Sequence, residues 1–165
     1  MPEARVKYLG SKMAFEGVSG SGHRVIMDGA PEVGGENQGI RPMETVLVAL
    51  GGCTGMDVVS ILQKMRVPFA SFEMNITGHR VDTHPKIYDH ITIRYEFQAD
   101  KDHADKMIRA VTLSQEKYCS VSAMLAKSAR IDADIVINGE VVHTLTSHPA
   151  ASTDHAGTED RLTSP

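Results

Sequence analysis

The stretch Arg41-Pro-Met-Glu-Thr-Val-Leu-Val-Ala-Leu-Gly-Gly-Cys-Thr-Gly-Met-Asp-Val-Val-Ser-Ile-Leu-Gln-Lys-Met-Arg66 reads as one long helix. Pro42 suits the first helical position, where its missing N–H leaves no bond unmade. Glu44 falls in the first turn and Lys64 and Arg66 in the last, each on the favourable side of the macrodipole. Pro68 stops the run. From Val46 to Leu62 the segment is apolar on nearly every face. A helix of that kind is buried in a fold or spans a membrane. Asp57, Gln63 and the glycines interrupt the run, which reads as too short for a span. We therefore expect the central helix of a soluble fold, wrapped by other elements, with Cys53 at its middle. Gly51, Gly52 and Gly55 each cost roughly 1 kcal/mol relative to alanine inside a helix. They make sense if another backbone approaches there, or if the Cys53 thiol needs open space.

Outward from this helix the chain alternates strands and turns. Val6–Tyr8, Lys12–Val18 and Arg24–Asp28 read as short strands, with Ser19-Gly-Ser-Gly22 as a turn between two of them. The glycine-rich segment 29–39 reads as a loop, either a flexible connector or a functional one. After the helix, Phe72–Gly78 and Ile87–Phe97 read as a hairpin turned at Asp82-Thr-His-Pro85. Ile91, Ile93, Tyr95 and Phe97 alternate with Thr92, Arg94 and Glu96, the pattern of a sheet with one buried face. Asp102 is the expected N-cap of a second helix whose Met107, Val111, Ser114 and Tyr118 share a face. Cys119 closes that helix, a short apolar helix follows around Ala123–Ala126, and Ile131–Ile137 forms a last strand. One domain over 1–145 and a disordered tail over 146–165 complete the expected organisation.

A chain of 165 residues with 41% hydrophobic and 23% charged residues suits a single globular domain. A net charge of −4 and the absence of tryptophan argue against nucleic acid and anionic membrane as partners. The first residues carry no apolar leader, which points to the cytoplasm and to reduced thiols. Cys53 and Cys119 are then free, redox-active or inert rather than a permanent staple. A lone buried cysteine is most often a small hydrophobe. Cys119, near a helix start, stands where N–H groups favour a thiolate.

At about 100° per residue, Glu44 and Cys53 point to opposite sides of the helix. Asp57 shares the face of Cys53, but a carboxylate would raise a thiol pKa. Asp57 is therefore expected to hydrogen-bond or pack, and an activating cation should come from elsewhere: Arg41, Arg24 or a histidine such as His23. No His-x-His, HExxH or Cys-x-x-Cys motif is present, which gives metal little support. No nucleotide-binding glycine motif and no nucleophile elbow appear, so no cofactor is expected.

Together, Gly22-His23, Asp28-Gly-Ala-Pro31, Gly34-Gly35, Arg41-Pro-Met-Glu44 leading to Leu50-Gly-Gly-Cys53, and Glu116-Lys-Tyr-Cys-Ser120 resemble the OsmC/Ohr family, in its YhfA-like branch. That family comprises osmotically inducible and organic hydroperoxide resistance proteins, and the likeness covers roughly residues 1–140. The resemblance implies an α+β swapped fold, with long central helices wrapped by antiparallel-rich sheets in an intertwined homodimer. It also implies a peroxidase acting on organic hydroperoxides in oxidative-stress defence. Cys53 would be the peroxidatic cysteine, Cys119 the resolving one, and a dithiol the reductant. The family's hydroperoxide-resistance members carry a glutamate ten residues before the first cysteine. Met43 stands there in this chain, with Glu44 beside it as the acidic site candidate. The second cysteine continues as Cys119-Ser-Val-Ser122 instead of the family's Cys-Pro-Tyr-Ser. The competing class is a non-catalytic dimer that binds a small apolar ligand or senses redox state.

Overall fold

The computed structural model describes residues 1–147. Strands β1 (Ala4–Tyr8), β2 (Phe15–Ser19) and β3 (Arg24–Met27) form an antiparallel three-stranded sheet. Lys12, expected inside β2, instead turns the chain with φ at +43°. Helix α1 (Pro42–Lys64) follows as the sequence predicts. Strands β4 (Ser71–Arg80), β5 (Tyr88–Gln98), β6 (Arg130–Ile137) and β7 (Glu140–Thr146) make a second sheet in that order. The β4–β5 hairpin and the β6–β7 pair are antiparallel, whereas β5 and β6 run parallel. Parallel neighbours need a crossover, and helices α2 (Ala104–Leu113) and α3 (Ser120–Leu125) lie on it.

The core forms where α1 and α2 meet the inner face of the four-stranded sheet. Leu50, Val58 and Leu62 from α1 pack with Ile91, Ile93, Tyr95 and Phe97 from β5 and with Ile131, Ala133, Ile135 and Ile137 from β6. The alternation read along β5 is thus the burial pattern found. Gly51 and Gly55 let α1 settle onto β4. A Cβ at Gly55 would stand 2.6 Å from Met74 Cε, and one at Gly51 2.8 Å from Ile76 Cδ1. A Cβ at Gly52 would meet open space.

Several expectations are corrected. Strand β7 was not foreseen. It carries the sheet through Thr146, and Ser147 bonds Ile131 through both backbone and hydroxyl. The expected 146–165 tail therefore begins inside the sheet, and its residues 148–165 lie outside the described residues. Asp100, not Asp102, caps the entry to α2: its carboxylate accepts from the Asp102 N–H at 3.0 Å, ahead of a 3-10 turn over Lys101–His103. Beyond α2, Ser114–Tyr118 is a π-helical turn closed by the Cys119 N–H donating to the Ser114 carbonyl at 2.8 Å. That wider turn rotates Tyr118 off the buried face shared by Met107, Val111 and Ser114, leaving it exposed.

The central helix is not enclosed by its own chain. At 23 residues, with an 18-residue stretch of mean hydropathy 1.8, it is long and apolar enough to cross a membrane. Length therefore does not dismiss a span, contrary to the sequence reading. Packing argues against one, since Leu50, Thr54, Val58 and Leu62 are buried in the protein core. The opposite face leaves Val48 63% and Met56 76% exposed.

The 29–39 loop is pinned, not loose. Asp28, buried at the end of β3, accepts from the N–H groups of Gly29 at 2.7 Å and of Glu36 and Gln38 at 3.0 Å. The Gln38 N–H above all, then those of Glu36 and Gly29, holds the Asp28 carboxyl below its usual range against the opposing effect of burial. A depressed carboxyl stabilises the fold above its unfolded pKa of about 3.9 and ceases to as pH falls through the folded value. Asp28→Asn is therefore expected to be less stable than the parent at neutral pH. It should also lose less of its remaining stability on acidification below about pH 4. Urea midpoints measured across pH check both statements.

Candidate active site

The sequence placed Cys53 and Asp57 on one face of α1, and the fold delivers Cys119 to them. Cys119 is the N-cap of α3, with an extended backbone (φ −70°, ψ 103°) that ends the π-helical turn. The two sulfurs and a carboxylate oxygen of Asp57 all lie within 4.8 Å of one another. Both thiols are free, Cys53 half-buried and Cys119 buried. Burial pushes the Cys119 thiol up; the hydroxyl and N–H of Ser122 oppose this, while nearby Cys53 adds to it. The Ser122 N–H donates to Cys119 Sγ at 3.4 Å. The expectation that a helix start would favour the Cys119 thiolate is thus overturned. In a six-residue helix, desolvation outweighs the N-terminal N–H groups.

Beside the thiols runs a buried polar chain that sequence reasoning missed. Ser114 Oγ donates to Asp57 Oδ2 at 3.1 Å, since a carboxylate only accepts. Ser114 Oγ and Thr54 Oγ1 are 2.8 Å apart, as are Thr54 Oγ1 and Tyr95 Oη. Gln115 Nε2 donates to Tyr95 Oη. Burial pushes Tyr95 up to about 12, so the phenol keeps its proton. The donors therefore run in one direction, from Tyr95 through Thr54 and Ser114 to Asp57. Asp57 is the hydrogen-bonding residue the sequence predicts. A solvent-open cavity of about 370 Å³ reaches it, lined also by Ile61, Met65, Leu113 and Tyr118.

The other named residues are engaged away from the thiols. Glu44 accepts from the Arg41 backbone N–H at 3.0 Å and so caps α1. Arg41 donates to the Gly39 carbonyl at 2.9 Å and to Asn37 Oδ1 at 2.7 Å, tying the loop to the helix start. Arg24 pairs with Glu16 and His23 meets Ser21. Among the described residues, none of these three cations bonds to Cys53 or Cys119.

A helix laid across a mixed sheet, with two reduced cysteines converging at its middle, defines an α+β dithiol protein. The family model described as OsmC-like protein matches residues 35–134, and the chain belongs to that family. Protein YhfA of Escherichia coli K12 is 42% identical over 133 residues, covering 78% of this chain and 92% of YhfA. A hypothetical protein of Aquifex aeolicus superposes with a TM-score of 0.71 at 32% identity, covering 84% of this chain and 96% of its own. An organic hydroperoxide resistance protein of Legionella pneumophila shares the fold, with a TM-score of 0.63 at 12% identity over 82% of this chain and 96% of its own.

Proposed function

We propose that the protein is a thiol-dependent peroxidase that reduces organic hydroperoxides with electrons from a dithiol. The observation that carries this reading is the convergence of both sulfurs within 4.8 Å inside an α+β fold shared with a hydroperoxide resistance protein. Cys53, the more open thiol, attacks the peroxide as its thiolate: an S–O bond forms, the O–O bond breaks, and the alkoxide leaves to become the alcohol. Sulfur is oxidised to the sulfenic acid as the peroxide is reduced. The Cys119 sulfur then attacks the sulfenic sulfur of Cys53. The S–S bond forms, and the hydroxyl leaves as water with the proton Cys119 gives up. The Asp57 carboxylate is near enough to both sulfurs to carry that proton. Exchange with a dithiol restores both thiols. Glu44 acts at one remove, by fixing the start of the helix that bears Cys53. The decisive assay follows loss of an organic hydroperoxide with dithiothreitol as electron donor. Absence of turnover in the parent would overturn the proposal.

One observation favours a second reading, a redox sensor that is oxidised once and does not cycle. Asp57 sets a negative charge beside the thiols, which disfavours thiolates. Stoichiometric oxidation without turnover would select it.

The working form is proposed as a homodimer. Val48 and Met56 stand exposed on α1, and Met56 lines a groove of about 470 Å³ with Gly52, Val59, Gln63 and Phe72. The three-stranded sheet also exposes Val6, Phe15 and Val25. A second copy burying these faces would give the apolar helix its cover. Met56→Asp is expected to convert a dimeric parent to monomer in sedimentation equilibrium.

A further inference from the structure

Two thiols and a carboxylate that converge at one point are also a set of metal ligands. We propose that the reduced site holds one thiophilic divalent cation, with Zn²⁺ as the type, through Cys53 Sγ, Cys119 Sγ and a carboxylate oxygen of Asp57. A fourth position is left for water from the adjoining cavity. Zinc with bonds of about 2.3 Å to sulfur and 2.0–2.2 Å to oxygen holds its ligands roughly 3.5–3.8 Å apart. Ligand atoms already within 4.8 Å of one another need only small side-chain adjustments to close on the ion. Cys53 and Asp57 lie one helical turn apart on α1, and Cys119 is held between the π-helical turn and the start of α3.

Outer contacts that orient ligands are already in place for two of them. Asp57 Oδ2 accepts from Ser114 Oγ at 3.1 Å, and Cys119 Sγ accepts from the Ser122 N–H at 3.4 Å. Asp57 makes no ion pair among the described residues. Lys64, the basic residue lining the same cavity, lies about two turns along α1.

Charge favours the ion over two free thiolates. With both thiols protonated, the site carries the single negative charge of Asp57. One divalent cation replaces two thiol protons, so the site's net charge is unchanged while both sulfurs become ligands. Without the ion, the same deprotonations would crowd three negative charges into one half-buried cluster. Binding therefore releases two protons per ion. No local motif announces such a site, because the pair spaced for chelation, Cys53 and Asp57, lacks its third member until the crossover folds.

The regulatory consequence rests on the peroxidase reading: a bound ion occupies the sulfurs that attack peroxide, and oxidation to the disulfide removes both sulfur ligands and expels it. The binding test is independent of that reading, because it uses the reduced, chelator-treated full chain without peroxide. Zn²⁺ is titrated against a chromogenic chelator, and Co²⁺ is followed by absorption. The expected result is one ion per chain, two protons released, and a thiolate-to-cobalt charge-transfer band. Cys53→Ser and Asp57→Asn should each weaken binding at least a hundredfold. Asp57→Asn retains an acceptor for Ser114 and so tests ligation with the fold kept. Ser114→Ala should cost about ten- to a hundredfold. Equal affinity in the parent and Asp57→Asn, or a cobalt complex without the thiolate band, would overturn the proposal. Binding without hydroperoxide turnover would fail only the peroxidase reading, and turnover without binding only this one.

Discussion

Replacing Cys53 by serine is expected to bring hydroperoxide consumption down to the uncatalysed rate, a loss of about three orders of magnitude or more. Replacing Cys119 should leave a different defect. The two sulfurs are chemically alike and within 4.8 Å of each other, but their surroundings divide the work. Cys53 is partly open, whereas Cys119 is buried with its thiol pushed up. On the proposed mechanism peroxide meets Cys53 first, and Cys119 reacts next with a neighbour that has become electrophilic. Cys119→Ser should consume one equivalent of hydroperoxide per chain in the absence of reductant and hold Cys53 as a sulfenic acid. A dimedone-type reagent would trap that acid, and excess peroxide would drive it on to the sulfinic acid. A dithiol in the assay could reduce the trapped acid directly, so slow turnover in Cys119→Ser is compatible with its role. Equal rates in Cys53→Ser and the parent are not compatible with the role of Cys53. Mass spectrometry of the parent after one equivalent of peroxide should show the loss of two hydrogens, the mark of the Cys53–Cys119 bond.

The sequence disclosed those parts of the fold whose local pattern and tertiary fate agree. The apolar run of α1 with Pro42 at its start, and the alternation from Ile91 to Phe97, are each written in consecutive residues and each end up in the core. Strand β7 is a sheet edge whose residues are mostly exposed, so its side chains carry little alternation to read. The π-helical turn at Ser114–Tyr118 was hidden for another reason. A helix-period reading continues through it and places Tyr118 on the buried face, and only the backbone bond from Cys119 to Ser114 reveals the extra residue. At the site, Asp57 beside Cys53 follows from helical spacing alone. The approach of Cys119 depends on a crossover between β5 and β6 that no short window contains. The hydroxyl chain of Thr54, Ser114 and Tyr95 is hidden because each sits in an otherwise apolar stripe, where a single hydroxyl reads as tolerated. The clue was their shared position on faces bound for the core, since hydroxyls buried together must satisfy one another.

That mutual dependence makes Thr54 the most informative residue for stability. Thr54→Val keeps shape and removes one hydroxyl, yet the hydroxyl joins two partners, each 2.8 Å away. Tyr95, with its pKa pushed up to about 12, cannot shed its proton to adapt. Its O–H would point at a methyl group in a buried site, and Ser114 would lose the donor behind it. Leaving such groups unsatisfied costs about 1–3 kcal/mol each, so Thr54→Val should lower unfolding free energy by about 2–3 kcal/mol. Thr54→Ser retains the hydroxyl and gives up a methyl, a loss of about 1 kcal/mol. If the cost lies in an orphaned phenol, Tyr95→Phe should relieve it. The double variant Thr54→Val/Tyr95→Phe would then fall short of the sum of the singles by about 1–2 kcal/mol, the coupling typical of residues in one network. Urea denaturation of the four proteins measures that coupling, and strict additivity would mean that the hydroxyl chain does not act as a unit.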